Sequence, residues 1–346
     1  MANMFAAYLT GHGGNEVVTF GERPVPQRRA GEVLVEMQAG GLNRVDLYMR
    51  NSGAGITHSL PQVLGLDGFG RVVDADDDSR LSKGARVVLH PATGCGVCEF
   101  CRRGEHPLCV ASKYLGEHRD GTLSQFVCLP AENVFPAPKT LDGIEAAALG
   151  VAPITAWRMV FTKAKVQPWE TVLIFGIGGT VSVSALQLVK GIGARAIVTS
   201  RDSAKLEKAT ALGADATINS RSEDISKKVM ALTGGRGVDV VIENVGEAVW
   251  SHALKSLVRG GRLVTCGATS GGAPSADLQR MFIRQLTVMG STHGSFEEFR
   301  QMLAMVDAGG FRPVIDSRFA IEDIHAALDR LDTGQQFGKV GIQMPA

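Results

Sequence analysis

The chain has 346 residues, of which 45% are hydrophobic and 21% charged, and its 36 Lys and Arg against 35 Asp and Glu leave a net charge of +1. At roughly 100–200 residues per domain this predicts two domains with full cores. It excludes long disordered stretches and gives no basic surface for nucleic acid or for a membrane. No apolar run approaches the ~18 residues of a membrane helix. The opening Met1-Ala2-Asn3-Met4-Phe5 lacks the basic and long apolar parts of a signal peptide, so a cytoplasmic location is expected. Glycine, at 42 residues, is about 12% against a usual ~7%, which predicts many tight turns and close backbone approaches.

Residues 1–140 read as β-rich. Val33–Met37 and Arg86–His90 are short apolar, β-branched runs bounded by Gly and Pro, with Pro24, Pro26 and Gly31 marking the first connection. The acidic run Asp74–Asp78 reads as a solvated turn. From Ile144 the texture changes: 144–150 and 152–161 read as helices, and then strands and helices alternate. Strands are expected at 171–175, 195–199, 216–219, 238–242, 262–266 and 286–290, with helices at 181–190, 203–212, 222–232 and 248–257. Such alternation means βαβ units and a parallel sheet. The tail, 295–346, carries two helices and two strands. It is too small for a core of its own and is expected to pack on the β-rich domain.

The first strand of the alternating region runs into Gly176-Ile177-Gly178-Gly179-Thr180-Val181, which opens a helix. Glycines let backbone approach a pyrophosphate, and a helix N-terminus offers free N–H groups and a positive dipole end. The third glycine of the usual fingerprint is replaced by Val181, but the strand–turn–helix–strand context carries the reading. A carboxylate at the end of the second strand would hold ribose hydroxyls. Ser200 stands there instead, followed by Arg201 and, one helical turn on, Lys205. Two cations and a hydroxyl suit a 2′-phosphate, so NADPH is expected over NADH. Gly267, after the strand at 262–266, reads as a further loop at the cofactor's edge.

Cys95, Cys98, Cys101 and Cys109 place four thiols within 15 residues. Four sulfurs suit a tetrahedral structural zinc with no open position, with an iron–sulfur cluster as the alternative. Cys128 and Cys266 lie singly in apolar runs and read as core residues.

A β-rich first domain, a four-cysteine lobe and a central dinucleotide fold together resemble the medium-chain dehydrogenase/reductase superfamily over essentially the whole chain. The resemblance implies an α/β protein in two parts. One is a GroES-like β-rich catalytic domain at 1–150 and 293–346, with the structural zinc lobe at 94–110. The other is a Rossmann domain, a doubly wound parallel sheet, at 151–292, with the active site in the cleft between. The catalytic zinc ligands of the zinc enzymes fall here on Asn43 in Gly41-Leu42-Asn43-Arg44-Val45-Asp46, on Leu66 and Asp67, and on Val151. Leu and Val have no lone pairs and neutral Asn is a poor zinc ligand, so no catalytic zinc is expected.

The stretch Asn43–Arg50 is similar to the N-x-x-D-x-Y-x-R segment of the quinone oxidoreductases. That similarity implies NADPH-dependent reduction of quinones or activated carbon–carbon double bonds. Without zinc, hydrogen-bond donors must stabilise the developing charge. The resemblance assigns that work to Asn43 and Tyr48, with Asp46 beside them as a structural partner rather than a base. It also makes Lys339 the cation for Asp67, within reach of the pyrophosphate, and brings the Ser291–His293 turn to the nicotinamide carboxamide through backbone groups. His118 is a further candidate at the cleft. Two other readings remain open: an alcohol dehydrogenase or carbonyl reductase acting without catalytic zinc, and an NADPH-binding protein with no turnover. The expected partners are a small-molecule substrate and further copies of the chain, as a homodimer or homotetramer joined at the 286–290 strand.

Overall fold

A computed structural model describes residues 2–77 and 80–345. The chain divides into two units. The first comprises the residues up to Ile154 and those from His293 on; the second is Thr155–Thr292.

In the first unit a seven-stranded sheet is built around Glu32–Leu42. On one side it pairs with Asp67–Asp74, and on the other with Phe126–Pro130 along its first residues and Lys339–Gln343 along its last, all antiparallel. Its alternation buries Val33, Val35 and Met37 on one face. The tail therefore enters this sheet, with Ile315–Ala320 parallel to Lys339–Gln343 at its rim. Register then decides chemistry. Gly41 lies opposite both Asp67 and Gly341, which puts Asp67, Gly41 and Lys339 on three adjacent strands. A Cβ on Gly41 would stand 3.0 Å from Lys339 Cδ and 3.1 Å from Asp67 Oδ2, so the missing side chain is what lets the two approach. The helix Arg44–Ser52 follows at once and stops at Gly53, whose φ of 68° is left-handed.

The second unit is a six-stranded parallel sheet. Its order is Ala216–Asn219, Arg195–Ser200, Thr171–Ile174, Val238–Glu243, Leu257–Thr265, Thr287–Gly290. Central strands such as Val172–Ile174 are sealed on both faces, as a sheet covered by helices requires. Asp202 and Asp224 cap the helices Ser203–Ala211 and Ile225–Leu232 by accepting backbone N–H bonds of 2.9 Å. The strand Thr287–Gly290 is the sheet's edge, and beside it the short helix Leu278–Arg284 leaves Leu278 and Phe282 largely exposed.

Four expectations need correction. The helix expected over 152–161 is α-helical only over Val151–Trp157; Arg158–Lys163 winds as a π-helix, closed by Ala164 N–H on the Met159 carbonyl. The strand expected at 262–266 begins at Leu257, because Val238 already pairs with Leu257 across a bulge. The acidic turn is not simply solvated: Asp74 and Asp76 both bind Arg28, and Asp76 also accepts from Gly31 N–H. Its last acid, Asp78, lies outside the described residues. Finally, Cys128 and Cys266 are only partly buried, since Cys128 sits on a strand rimming its sheet and Cys266 follows the end of one.

Candidate functional site

The parallel-sheet unit builds a dinucleotide cradle. Gly176 and Gly178 take φ values of 67° and 119°, which favour glycine, and Gly179 caps the twelve-residue helix Thr180–Gly191. Ser182 donates to the Phe175 carbonyl at 2.7 Å and accepts from Asn244 Nδ2 at 2.8 Å, tying the glycine loop to the end of the next strand. Thr180 and Val181 form the helix's first turn. The Ser200 hydroxyl accepts from Asp202 N–H at 3.1 Å, and Arg201 is exposed with no partner among the described residues. The Lys205 side chain lies over Gly178, where a Cβ would stand 2.6 Å from Lys205 Cδ. Hydroxyl, guanidinium and ammonium thus gather at the strand end next to the glycine loop.

A cavity of about 390 Å³ opens at the carboxyl ends of the last three strands, lined by Gly246, Trp250, Cys266, Gly267, Gly290 and Ser291 among others. Carboxyl ends of parallel strands are where such sheets bind ligands. Glu243, which the sequence reading missed, shapes this end. Its buried carboxylate accepts from Val245 N–H, Gly246 N–H and the Thr265 hydroxyl. The donors and glycine backbones fit a nicotinamide dinucleotide.

In the β-rich unit Asn43, Asp67 and Lys339 meet in one buried cluster with Asp46 beside it, whereas Tyr48 is 39% exposed and makes no hydrogen bond to it among the described residues. Lys339 is fully buried, and its ammonium donates to Asp67 Oδ2 at 2.5 Å, to Asn43 Oδ1 at 2.7 Å and to the Leu42 carbonyl at 3.3 Å. The other Asp67 oxygen accepts from Val151 N–H at 2.7 Å. This approach depends on Gly150, where a Cβ would stand 2.4 Å from Asp67 Oδ1. The pairing with Asp67 is the expected one, but the reach to a pyrophosphate is not: all three ammonium protons are spent inside this unit.

Of the four positions at which zinc ligands were sought, Asn43 and Asp67 hold the Lys339 ammonium, Val151 gives its N–H to Asp67, and Leu66 is a buried hydrocarbon. They offer one carboxylate already matched to a cation, one amide oxygen already taken and two hydrocarbon side chains. That donor set does not fit zinc.

Asn43 presents its other end differently. With Oδ1 held by Lys339, its Nδ2 is buried and has no partner among the described residues, an orphan that calls for an acceptor. Asp46 is sealed, with one oxygen on Asn43 N–H at 2.7 Å and the other on Gly65 N–H at 3.0 Å. Burial pushes its carboxyl up to about 7, partly opposed by those N–H bonds. Asp46 thus holds the site's backbone in place. Tyr48, five residues from Asn43, is half-buried, and burial raises its hydroxyl. His118 accepts from Tyr114 N–H at 3.3 Å. His293 is buried with neither ring nitrogen bonded among the described residues, its ring edge-on to His90 and tilted against Tyr114, and burial holds it well below the usual imidazole range.

The sequence reading also missed Glu117, in the same loop as His118. It is 9% exposed, and burial, reinforced by the charge of Asp46, raises it to about 7.

The four lobe cysteines converge as expected, with all four Sγ atoms within 4.8 Å of one another. Tetrahedral Zn–S bonds of ~2.3 Å demand S···S separations of about 3.8 Å, so the set closes on a metal with little movement. Backbone N–H groups of Cys95, Cys98 and Cys101 point at the sulfurs of Cys109, Cys95 and Cys98 at 3.3–3.5 Å, a turn geometry that favours thiolates. These residues fit a structural zinc.

Comparison with known proteins follows the same division. Residues 29–139 match the family model for the alcohol dehydrogenase GroES-like domain, and residues 180–308 that for zinc-binding dehydrogenase. An NAD-dependent alcohol dehydrogenase of Saccharolobus solfataricus is 30% identical over 330 residues, 91% of this chain and 93% of that protein. The corresponding protein of Sulfurisphaera tokodaii is 29% identical over 331 residues, again 91% and 93%. A crystal structure of an NAD-dependent alcohol dehydrogenase superposes with a TM-score of 0.95 at 37% identity, covering 99% of this chain and 100% of that one. A GroES-like unit carrying a cysteine lobe and a Rossmann unit carrying a glycine cradle are thus matched along nearly their whole length, and the chain is an oxidoreductase of the medium-chain dehydrogenase/reductase superfamily.

Proposed function

We propose that this protein is an NADPH-dependent reductase that passes hydride to an activated carbon–carbon double bond or a quinone without a catalytic metal. The observation that carries the reading is the Lys339 ammonium buried between Asn43 and Asp67, in a donor set unsuited to zinc. Bound NADPH supplies the hydride. The chain's own residues do the rest. Lys339 neutralises Asp67 and fixes the Asn43 amide by its oxygen, which leaves Nδ2 as an aimed donor for a substrate oxygen. Tyr48, on the following helix, offers a second donor. Two neutral donors suit an enolate or a hydroquinone anion better than an alkoxide, whose charge is less delocalised.

Purified protein is expected to oxidise NADPH with enones or quinones. Asn43→Ala should then lower kcat about 10²-fold, the usual effect of losing one such donor, with KM for NADPH unchanged. Turnover confined to alcohols would overturn the reading. The names of the archaeal relatives favour that second possibility, alcohol oxidation with NAD, and the same assay decides it.

Preference for NADPH is supported by Ser200, Arg201 and Lys205 gathered where a ribose-binding carboxylate would otherwise stand. Arg201→Ala is expected to raise KM for NADPH about 10–100-fold, the worth of a charge-assisted bond, and to leave KM for NADH in place. Equal effects on both cofactors would remove Arg201 from the 2′-phosphate. We place the homodimer or homotetramer on the Thr287–Gly290 edge, with exposed Leu278 and Phe282 beside it, a reading that sedimentation equilibrium tests.

A further inference from the structure

Glu243 ends the strand Val238–Glu243 inside the parallel-sheet unit, and its side chain is fully buried. One oxygen accepts from Val245 N–H and from Gly246 N–H, the latter at 2.7 Å, and the other accepts from the Thr265 hydroxyl at 2.9 Å. Its backbone carbonyl accepts from Cys266 N–H at 3.1 Å. Three donors and no acceptor meet the carboxyl group, the surroundings of a carboxylate rather than of a carboxylic acid.

No cation is paired with it among the described residues. Arg262, on the neighbouring strand, is turned to Glu170 at the amino ends of the strands. Arg201 and Lys205 stand beyond the end of Arg195–Ser200, two strands away. A whole negative charge therefore lies behind the wall of the cavity at the carboxyl ends of the last three strands. Gly246, Thr265 and Cys266 all bond to Glu243, and all three line that cavity. The Cys266 thiol registers the charge: burial pushes it up to about 12, and Glu243 adds to the rise.

Sheet order says which half of a dinucleotide meets this charge. The glycine loop follows Thr171–Ile174, and Ser200 ends the next strand outward, so pyrophosphate and adenosine ribose take that side. Val238–Glu243, Leu257–Thr265 and Thr287–Gly290 are left for the nicotinamide half, and the cavity opens at their ends. A nicotinamide ring is neutral when reduced. It is singly positive once hydride, a hydrogen nucleus with two electrons, has left it for the new C–H bond of the acceptor.

We propose that the Glu243 carboxylate sets the reducing power of the bound cofactor. Its charge favours the positive, oxidised nicotinamide over the neutral, reduced one, and so makes the bound reduced cofactor a stronger hydride donor. The charge acts across a wall of backbone and one hydroxyl, where little water screens it. Glu243 touches neither ring nor substrate, so it is a positioning residue and not a catalytic one. The inference holds whichever substrate takes the hydride and whether NADPH or NADH binds, and it stands apart from the reductase reading.

The test compares dissociation constants and needs no substrate. The full chain is titrated by calorimetry with the oxidised and the reduced form of whichever dinucleotide it binds, NADP+ and NADPH or NAD+ and NADH. Glu243→Gln keeps an oxygen for the Val245 and Gly246 N–H groups and an amide for the Thr265 hydroxyl, and it removes only the charge. It should raise the ratio of Kd for the oxidised form to Kd for the reduced form about 10-fold, the scale of one full charge acting in a water-poor site. That fold-change is an upward shift of about 30 mV in the potential of the bound two-electron couple. A merely structural role would weaken both forms alike and leave the ratio where it was. Glu243→Asp keeps the charge and should hold the ratio within about twofold even where both affinities fall. It decides the matter if the glutamine variant does not fold. Glu247→Gln is the control: that carboxylate lies against Gly271 at the cavity's rim but is exposed, so solvent screens it and the ratio should stay. An unchanged ratio in Glu243→Gln, a ratio moved as far in Glu243→Asp, or equal shifts in the two glutamine variants overturns the proposal.

Discussion

Lys339→Met is expected to lower the unfolding free energy by about 3–5 kcal/mol, the usual cost of removing one partner from a buried ion pair. Lys339 and Asp67 are both fully buried, so water cannot replace the lost ammonium. The substitution removes three hydrogen bonds at once and leaves Asp67 with only Val151 N–H on its other oxygen. It also frees Asn43 Oδ1, so the amide loses the contact that fixes its direction. A second change separates charge from packing. Asp67→Asn in the Lys339→Met background removes the stranded carboxylate, keeps an oxygen for Val151 N–H and should restore more than half of the loss. Urea denaturation of the wild type, the single and the double variant reads all three values. A single variant within 1 kcal/mol of wild type would mean that the pair does not organise the site, and the account of Asn43 would go with it. Asn43 reads out independently: enone turnover in Lys339→Met should fall to the level of Asn43→Ala, because an unanchored amide loses its aim.

Much of the fold was legible because its signals are local. The alternation of strands and helices, the Gly176–Gly179 turn and the cysteine spacing each lie within a few residues, and local spacing decides local structure. The Asp67–Lys339 pair was reached only through resemblance, since 272 residues separate its members and sheet register alone brings them together. The same register explains what went wrong with Lys339. Sequence marks a cation near the site but not how many of its three donors the surrounding strands consume. Glu117 was invisible for a related reason. In the sequence it is one acid in a polar loop, and its burial follows from Gly116 and Gly121 packing on the backbone of Leu64 and Gly65. A glycine on each side of a short polar segment, at 116 and 121, was the available signal. Cys266 misled in the opposite direction: the apolar run before it is a buried strand, but the cysteine itself falls where the strand ends and the cavity begins.

Removing the metal from the cysteine lobe should unfold the lobe and leave the parallel-sheet unit standing. The lobe has almost no core to fall back on. Between Gly94 and Val110 its regular structure amounts to a four-residue helix, Glu99–Arg102, and one short turn, His106–Leu108. Val97, Leu108 and Val110 are exposed, and its buried hydrophobic positions, Cys101 and Cys109, are themselves expected ligands. Apolar burial therefore contributes little, and the metal must supply the difference. Structural zinc sites do so on the order of 10 kcal/mol in small peptides, where binding and folding are one event. Chelation, or Cys98→Ser, is expected to release one zinc per chain and open residues 94–110 to protease. NADPH affinity should persist, because Gly176–Val181, Ser200, Arg201 and Lys205 all lie in the other unit. Metal analysis decides between the two ligand readings: iron with acid-labile sulfide would replace zinc with a cluster. A lobe that stays protease-resistant with no metal bound would remove the metal from the argument altogether. It would then leave the convergence of four sulfurs within 4.8 Å without a physical cause, since thiols alone do not attract one another enough to hold so bare a loop.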